Sequence, residues 1–381
     1  VHSLRGGDIM ILSVTPGDDY VSKSLALFVE AFERNNVTRI MFTKVRFEPE
    51  TYKEAISCDE ADKWKTAIDS ELDSLREKET FEETTLPSGR KPIEYKWIFT
   101  IKDGGRYKAR LVAKGFSQVP GKDYQETYSP VAKYDTIKLS IALAANLGMT
   151  VHQIDVKTAF LNGPLGLDLY LTVPEGLQTS QNKGKVLRLK RALYGLKQAP
   201  LVWNLEVSKT LRSIGLVPCV REPCLYYLYE SGVLLLVALY VDDMLIMSSD
   251  IKLIEKVKQG LSMAYEIKDL GPAKKFLGMN VSQSDSVITL SLEDYISKLI
   301  SLHLDQSSQP CETPYYSEWS DLLCPLVTDE LYPNPTKFRE IIGKLLFACT
   351  TVRYDISFIT IALARYSSKP AMKHYKACMR I

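Results

Sequence analysis

The sequence lacks most of the features that assign a chain quickly. Its seven cysteines are an odd number and contain no C-x-x-C pair, which argues against a disulfide framework and a zinc ribbon and favours a reducing compartment. It has no long apolar run. The longest, Val233 to Val241, is too short to span a bilayer and ends in two carboxylates, and no signal peptide is visible. Charge of one sign is also missing: 48 Lys and Arg stand against 46 Asp and Glu, a net +2, so the total implies no polyanionic partner. There is no internal repeat or low-complexity segment, which sets aside fibrous and disordered classes.

What remains is a globular chain of 381 residues, 45% hydrophobic, long enough to bury a large core in more than one packed unit. Its cations cluster locally. One basic stretch runs from Arg90 to Lys133; a second, from Lys183 to Arg221, has Glu206 as its one anion. Two such stretches in a neutral protein suit a channel for a phosphate backbone, where each neutralised phosphate releases counterions; a solvated face is the alternative.

Residues 1 to 48 show weak periodicity and read as a leader or linker. Ser57-x-x-Glu60 has capping-box spacing ahead of a helical face of Trp64, Ile68, Leu72 and Leu75. Tyr95–Ile101 and Tyr107–Ala113 flank a Gly104-Gly105 turn as a hairpin. Helices are expected at Ile137–Leu147 and Trp203–Ile214, stopped by Gly148 and Gly215, and at Ile254–Leu261. Strands are expected at Val151–Val156, Tyr226–Tyr229, Val233–Tyr240 and Met244–Met247. Irregular alternation of strands and helices, with tight hairpins, indicates an α+β fold.

Between the last two strands lie only Val241, Asp242 and Asp243, so two carboxylates sit at the tip of an otherwise buried hairpin. Asp155 lies in a strand of alternating apolar residues; if that strand pairs beside the hairpin, three acids converge. Such a cluster repels itself unless divalent cations neutralise it. Two Mg²⁺ ions about 4 Å apart serve in-line phosphoryl displacement, with Asp155 and Asp242 as main ligands and Asp243 as auxiliary. A bare Y-x-D-D is weak by itself, and a polar turn is its ordinary explanation.

At Tyr240-Val241-Asp242-Asp243 the chain resembles copia-type (Ty1/copia) retrotransposon Pol polyproteins in their reverse transcriptase region, from about residue 50 to the C-terminus. Long matching stretches carry the likeness: Lys96-Trp97-Ile98-Phe99 with Tyr107 to Gln118, Gln153 to Gly163, Ala192 to Pro200, Asp269-Leu270-Gly271 with Phe276 to Met279, and Ile342 to Leu346. The resemblance implies a right-hand polymerase with an antiparallel-sheet palm. Its divisions are a leader at 1–48, fingers at 49–134, a palm at 135–292 with a fingers insertion near 165–200, a thumb at 293–332, and a connection-like segment at 333–381 cut before RNase H.

The resemblance further implies catalytic and metal-ligating roles for Asp155, Asp242 and Asp243, with two Mg²⁺ ions or Mn²⁺ in their place. Arg110 is placed to grip the incoming triphosphate, helped by Lys102 or Lys108. Phe160 takes the place of the aromatic gate beneath the sugar, while Lys197 and Gln198 lie beside template and nucleotide. Phe276, Leu277, Gly278 and Met279 form the primer grip. The partners implied are an RNA template, a DNA primer–template duplex and deoxynucleoside triphosphates, with no membrane. The setting is cytoplasmic, free or in virus-like particles, within a larger polyprotein carrying integrase and RNase H. A chain running from Val1 to Ile381, stopping within a helical pattern, fits a fragment of it.

Departures from the family pattern are Pro164-Leu165-Gly166-Leu167 after Asn162-Gly163, Leu201 after Gln198-Ala199-Pro200, and Tyr354 in the segment Arg353 to Ile356. None touches the acids. They leave open a catalytically inactive nucleic-acid-binding remnant of a decayed element; a metal-dependent nuclease is a more distant alternative, with no use for a sugar gate.

Overall fold

The computed structural model describes residues 47–284, 287–304, 308–315, 322 and 329–381, with the backbone of two strands, β1 (Ile9–Val14) and β2 (Arg39–Lys44), which pair in parallel with each other. The rest of the segment expected as a leader, up to residue 46, lies outside the described residues. The chain divides into two units. One is Arg46–Ala273; the other joins Lys274–Ile381 with the N-terminal strands.

In the first unit, α1 (Tyr52–Ser57) precedes α2 (Ala61–Glu77). The capping box expected at Ser57 and Glu60 is not formed there. One helix earlier, Thr51 caps α1: its hydroxyl accepts the Glu54 N–H at 3.2 Å, while the Glu54 carboxylate accepts the N–H of Glu50, the residue before the cap, at 2.9 Å. Ser57 instead donates back to the Lys53 carbonyl at 2.8 Å, and Glu60 makes no side-chain cap bond. Thr51, extended at the cap position of α1, makes a side-chain cap that Glu60, the cap residue of α2, does not. The apolar face of α2 is as expected, with Trp64, Ile68, Leu72 and Leu75 all buried.

That face packs on a hairpin. After β3 (Phe81–Thr84) come β4 (Tyr95–Lys102) and β5 (Arg106–Ala113), joined by a turn in which Gly104 and Gly105 both have φ near +80°. Such backbone favours glycine. One side of the hairpin buries Trp97, Phe99, Ala109 and Leu111; Trp64 meets Phe99 and Tyr107 edge-on, with ring centroids 5.3 and 4.6 Å apart. The other side carries Lys102, Arg106, Lys108 and Arg110, because Lys102 pairs with Arg106 and alternate residues share a face. A Trp64→Ala change would remove the largest contact beneath this hairpin, at a cost of about 3–5 kcal/mol.

The remainder of this unit is built on a sheet. Helix α3 (Tyr134–Asn146) leads into β6 (Thr150–Val156); β7 (Pro164–Thr172) and β8 (Val186–Arg191) join β3 in a three-stranded sheet of order β3-β8-β7. Then follow α4 (Ala199–Ser213), β9 (Val217–Pro218), β10 (Leu225–Glu230), β11 (Val233–Tyr240), β12 (Asp243–Ser248), α5 (Ile251–Ala264) and β13 (Ile267–Pro272). A six-stranded sheet has the order β13-β6-β12-β11-β10-β9, antiparallel at every step. The expected strands and helices are present, and the architecture is α+β. Strands β11 and β12 are buried along nearly their whole length, consistent with apolar runs rather than strict alternation.

The second unit holds the antiparallel strands β14 (Lys275–Phe276), β15 (Met279–Ser284) and β16 (Val287–Ser291), then α6 (Glu293–His303), α7 (Pro335–Thr351), α8 (Ser357–Ala364) and α9 (Met372–Arg380). Phe276 pairs with Met279 across a two-residue turn, Leu277 and Gly278, both at positive φ. That is a type I′ geometry. Tyr354 lies in a short turn whose neighbours Arg353 and Asp355 are ion-paired at 2.6 Å. No helix among the described residues is long and apolar enough to cross a membrane.

Candidate active site

Strand register brings the acids together. Asp243 opens β12 and pairs directly with Asp155 of β6, so the two carboxylates leave the same face of adjacent strands. Asp242 occupies the β11–β12 turn, where Tyr240 pairs with Asp243. Like charges directly opposite are destabilising, so the pairing carries a cost that local packing must offset.

The turn is strained and held. Val241 has φ +55°, a left-handed conformation unfavourable for a β-branched residue. The indole N–H of Trp203, a fully buried residue of α4, donates to the Val241 carbonyl at 2.8 Å, and the Asp242 carbonyl accepts the Val156 N–H at 2.8 Å. These bonds fix the turn from the α4 side and the β6 side at once, the over-determination that a strained residue requires.

Electrostatics follow from burial. Desolvation, then the neighbouring Asp155, push the Asp242 carboxyl up to about 6 despite the opposing pull of Arg110. Asp243 is also raised, first by burial, while a 3.2 Å bond from the Gln153 amide works against it. The second oxygen of Asp242, Oδ1, is buried and has no hydrogen-bond partner, and so is Nε of Arg110. An open acceptor and an open donor are costly in a folded core. They are also what an oxygen-coordinating cation and a phosphate group would satisfy.

Tyr194 stands between them. Its hydroxyl donates to Asp242 Oδ2 at 3.4 Å, the Arg110 guanidinium lies 5.2 Å from its ring centroid, and the Phe160 ring packs at 4.7 Å. Burial, then Asp242, raise its phenol well above the usual range, so it stays a donor. Phe160 itself sits in a short turn, Ala159–Asn162, directly after β6. Thus Asp242, Arg110 and Phe160, far apart in sequence, all adjoin one tyrosine.

The backbone around Tyr194 explains the glycines of its segment. Gly195 has φ +89°, and a Cβ there would stand 2.1 Å from the Ala113 carbonyl oxygen; a Cβ on Gly115 would stand 2.0 Å from the Gly195 oxygen. Only glycine allows this approach, which lets the Tyr194 carbonyl accept the Ala113 N–H at 2.7 Å. Strand β5, with Arg110, is thereby tied to the Tyr194 loop.

The other expected site residues have the following surroundings. Gln198 is buried, with its amide oxygen accepting from Gln118 and its amide nitrogen donating to the Asp123 carbonyl, both at 3.0 Å, so it braces the 118–124 loop. Lys197 is exposed, with its ammonium 3.1 Å from the Tyr124 hydroxyl and 4.7 Å from that ring's centroid. Lys108 is half-buried, its ammonium pushed below the usual range first by burial and then by Arg110. Lys102 is exposed. Phe276 to Met279 belong to the other unit, with Phe276 and Met279 buried.

Tyr194, Trp203, Gln153 and Glu71 were not anticipated. Gln153 was visible in principle, since it shares a strand face with Asp155 two residues on. Glu71, buried on α2, accepts the Leu111 N–H at 3.1 Å and is raised by that burial, with Lys108 and Arg110 acting the other way. It steadies the strand that carries the cations.

The donor chemistry fits a hard divalent ion: carboxylate oxygens alone, one of them buried and unpartnered. Among the described residues, however, no group of three or more His, Cys, Asp or Glu side chains is placed to hold a metal ion, so most of the shell of an ion at Asp242 would come from outside the chain, as is usual for Mg²⁺.

The family model for reverse transcriptase (RNA-dependent DNA polymerase) matches residues 78–317. Among curated relatives, the retrovirus-related Pol polyprotein from transposon TNT 1-94 of Nicotiana tabacum is 36% identical over 342 residues, 87% of this chain and 26% of the relative. A putative transposon Ty5-1 protein of Saccharomyces cerevisiae is 37% identical over 234 residues, covering 60% of this chain and 73% of the relative. A foamy viral protease-reverse transcriptase in complex with double-stranded DNA aligns over 82% of this chain and 46% of its own, with 16% identity and a TM-score of 0.41. The chain spans about a quarter of the length of the first plant relatives it matches. By the family model and the curated relatives, together with the YVDD turn and the ordered motifs, the chain belongs to the reverse transcriptase (RNA-dependent DNA polymerase) family, as the reverse transcriptase region of a copia-type retrotransposon Pol polyprotein.

Proposed function

We propose that this chain is an RNA-directed DNA polymerase that adds deoxynucleotides to a primer 3′-hydroxyl. The observation that carries the proposal is the pair of open groups beside Tyr194: an unpartnered carboxylate oxygen of Asp242 and an unpartnered guanidinium nitrogen of Arg110, next to the Asp155–Asp243 register pair. One calls for a cation and the other for an anion, the two charges that a metal-bound nucleoside triphosphate brings together.

In this reading Asp155 and Asp242 hold divalent metal and Asp243 assists, Arg110 binds triphosphate oxygens, and Lys102 and Lys108 add positive potential. Mg²⁺ or Mn²⁺, when bound, supplies charge neutralisation and orientation for the in-line displacement. Phe160 lies beneath the sugar and excludes a 2′-hydroxyl. Lys197 faces the template side, with Gln198 bracing the loop beneath it, and the Phe276–Met279 turn positions the primer end. The segments 49–134, 135–292 and 293–332 are assigned as fingers, palm and thumb, with 333–381 as the connection. The partners are an RNA template, a DNA primer and deoxynucleoside triphosphates, in a cytoplasmic polyprotein with integrase and RNase H.

Primer extension on an RNA template with Mg²⁺ tests the proposal. The parent should extend the primer, and Asp242→Asn should abolish extension while leaving duplex binding intact. No extension by a well-folded parent that binds duplex would instead establish the inactive nucleic-acid-binding remnant, in line with the irregular register of β7 between Pro164 and Leu169, where the sequence departs from the family. Salt weakens binding under either outcome and cannot separate them.

A further inference from the structure

We propose that Tyr194 is a positioning residue with two separable duties: its hydroxyl holds the Asp242 carboxylate in place, and its ring seats Phe160 and Arg110. This rests on the polymerase reading and extends it to a residue that the three acids and the basic strand do not include.

The geometry separates the duties. The hydroxyl reaches Asp242 Oδ2 at 3.4 Å while Oδ1 has no partner, so the bond engages one oxygen and leaves the other open. A bond to one oxygen narrows the rotamers open to a carboxylate at the tip of a two-residue turn. Anchoring one oxygen lowers the entropy lost when the other meets a cation. The ring acts independently of the hydroxyl. Phe160 packs on it at 4.7 Å with planes inclined 59°, a favourable aromatic arrangement, and the Arg110 guanidinium lies 5.2 Å from its centroid, within cation–π reach. Gly195 and Gly115, packed backbone to backbone, fix the loop that carries Tyr194, so the ring is presented from a rigid support.

The two duties predict different losses. Tyr194→Phe removes the hydroxyl and keeps the ring; Tyr194→Leu removes both. Mn²⁺ binding to the chain, followed by loss of the free-ion resonance signal without nucleic acid, should weaken about three- to tenfold in Tyr194→Phe. Its preference for deoxy- over ribonucleotides should stay within about twofold of the parent, because the packing beneath the gate is unchanged. In Tyr194→Leu that preference should fall about tenfold, with a raised KM for deoxynucleotides, as the gate loosens and Arg110 loses its ring.

Unchanged Mn²⁺ affinity in Tyr194→Phe overturns the hydroxyl's duty, and unchanged sugar preference in Tyr194→Leu overturns the ring's. Equal loss of kcat in both, with metal affinity and sugar preference intact, makes Tyr194 a packing residue and overturns both. A parent that binds Mn²⁺ but extends no primer overturns the polymerase reading and the ring's duty with it, while the metal titration still decides the hydroxyl's.

Discussion

Strand β6 carries two ionisable clusters three residues apart, and they differ in how their polar groups are satisfied. At His152, Lys258 of α5 is 5% exposed and fully engaged: its ammonium lies 2.9 Å from His152 Nδ1, 2.9 Å from Asp269 and 3.1 Å from Glu255. At Asp155, on the opposite face, carboxylates face one another across the register and Asp242 keeps a buried oxygen without a partner. The same strand thus holds a closed network on one face and an open one on the other. A fold that satisfies a buried lysine with three partners leaves an aspartate oxygen bare on the other face of the same strand, and the polymerase proposal rests on that difference.

The sharpest way to break this comparison is at Asp242. Asp242→Asn should lower DNA synthesis on the order of a thousandfold, measured by primer extension, and should also raise the metal-free melting temperature at pH 8 by removing a repelling charge. A variant that lost both activity and stability would mean the turn is a structural element like the His152 side. The converse change is Lys258→Ala. Removing the one cation leaves His152 and two carboxylates without their partner, and because Asp269 and Glu255 are each nearly half exposed, water recovers part of the loss. The expected destabilisation is about 2–3 kcal/mol by chemical denaturation, with Mn²⁺ affinity at the acids unchanged.

Acidification sharpens the contrast because the two clusters respond with opposite sign. Asp242 titrates near 6 in the folded chain, above its unfolded value, so folded protein binds the extra proton first. Its contribution rises as pH falls from about 7 toward 4, by at most about 3 kcal/mol. His152 is shifted down, first by burial and then by Lys258, so it resists protonation when folded and its contribution is lost as pH falls below the usual histidine range. Thermal melting between pH 4.5 and 7.5 should therefore show a steeper acid loss in Asp242→Asn than in the parent, and a shallower one in His152→Gln. Metal binding should weaken below about pH 6 in the parent, as the Asp242 carboxylate protonates.

The contrast also marks what the sequence disclosed. The β11–β12 hairpin, the β4–β5 hairpin and the apolar face of α2 were legible, because period and turn chemistry are local signals. The cap at Ser57 did not form because Ser57 lies inside α1, where its hydroxyl bonds the Lys53 carbonyl, and spacing alone does not show that. The acids were legible through YVDD and its partner motifs. Tyr194 was not, although it lies within a quoted motif, because its importance arises from Gly195 packing on Gly115 and from a bond to a residue 48 positions away. The bonds of Gln198, in the same motif, were illegible for the same reason, since its amide meets Gln118 and the Asp123 carbonyl, both far away in sequence.

Gln153 gives the smallest and most discriminating test. It lies on β6 between the two clusters, on the Asp155 face, and its amide is the neutral group bonded to Asp243. Since the bond lowers the cost of that buried carboxylate, Gln153→Leu should destabilise the metal-free chain by about 1 kcal/mol and raise the Asp243 carboxyl further. If Asp243 serves as the auxiliary metal ligand, the amide also competes with metal for the same carboxylate, because Oδ1 accepts one bond at a time along that direction. Saturating Mn²⁺ should then restore most of the lost stability in Gln153→Leu, measured as the melting difference with and without metal, whereas Lys258→Ala, on the closed face, should regain none of its deficit beyond the metal shift that the parent also shows.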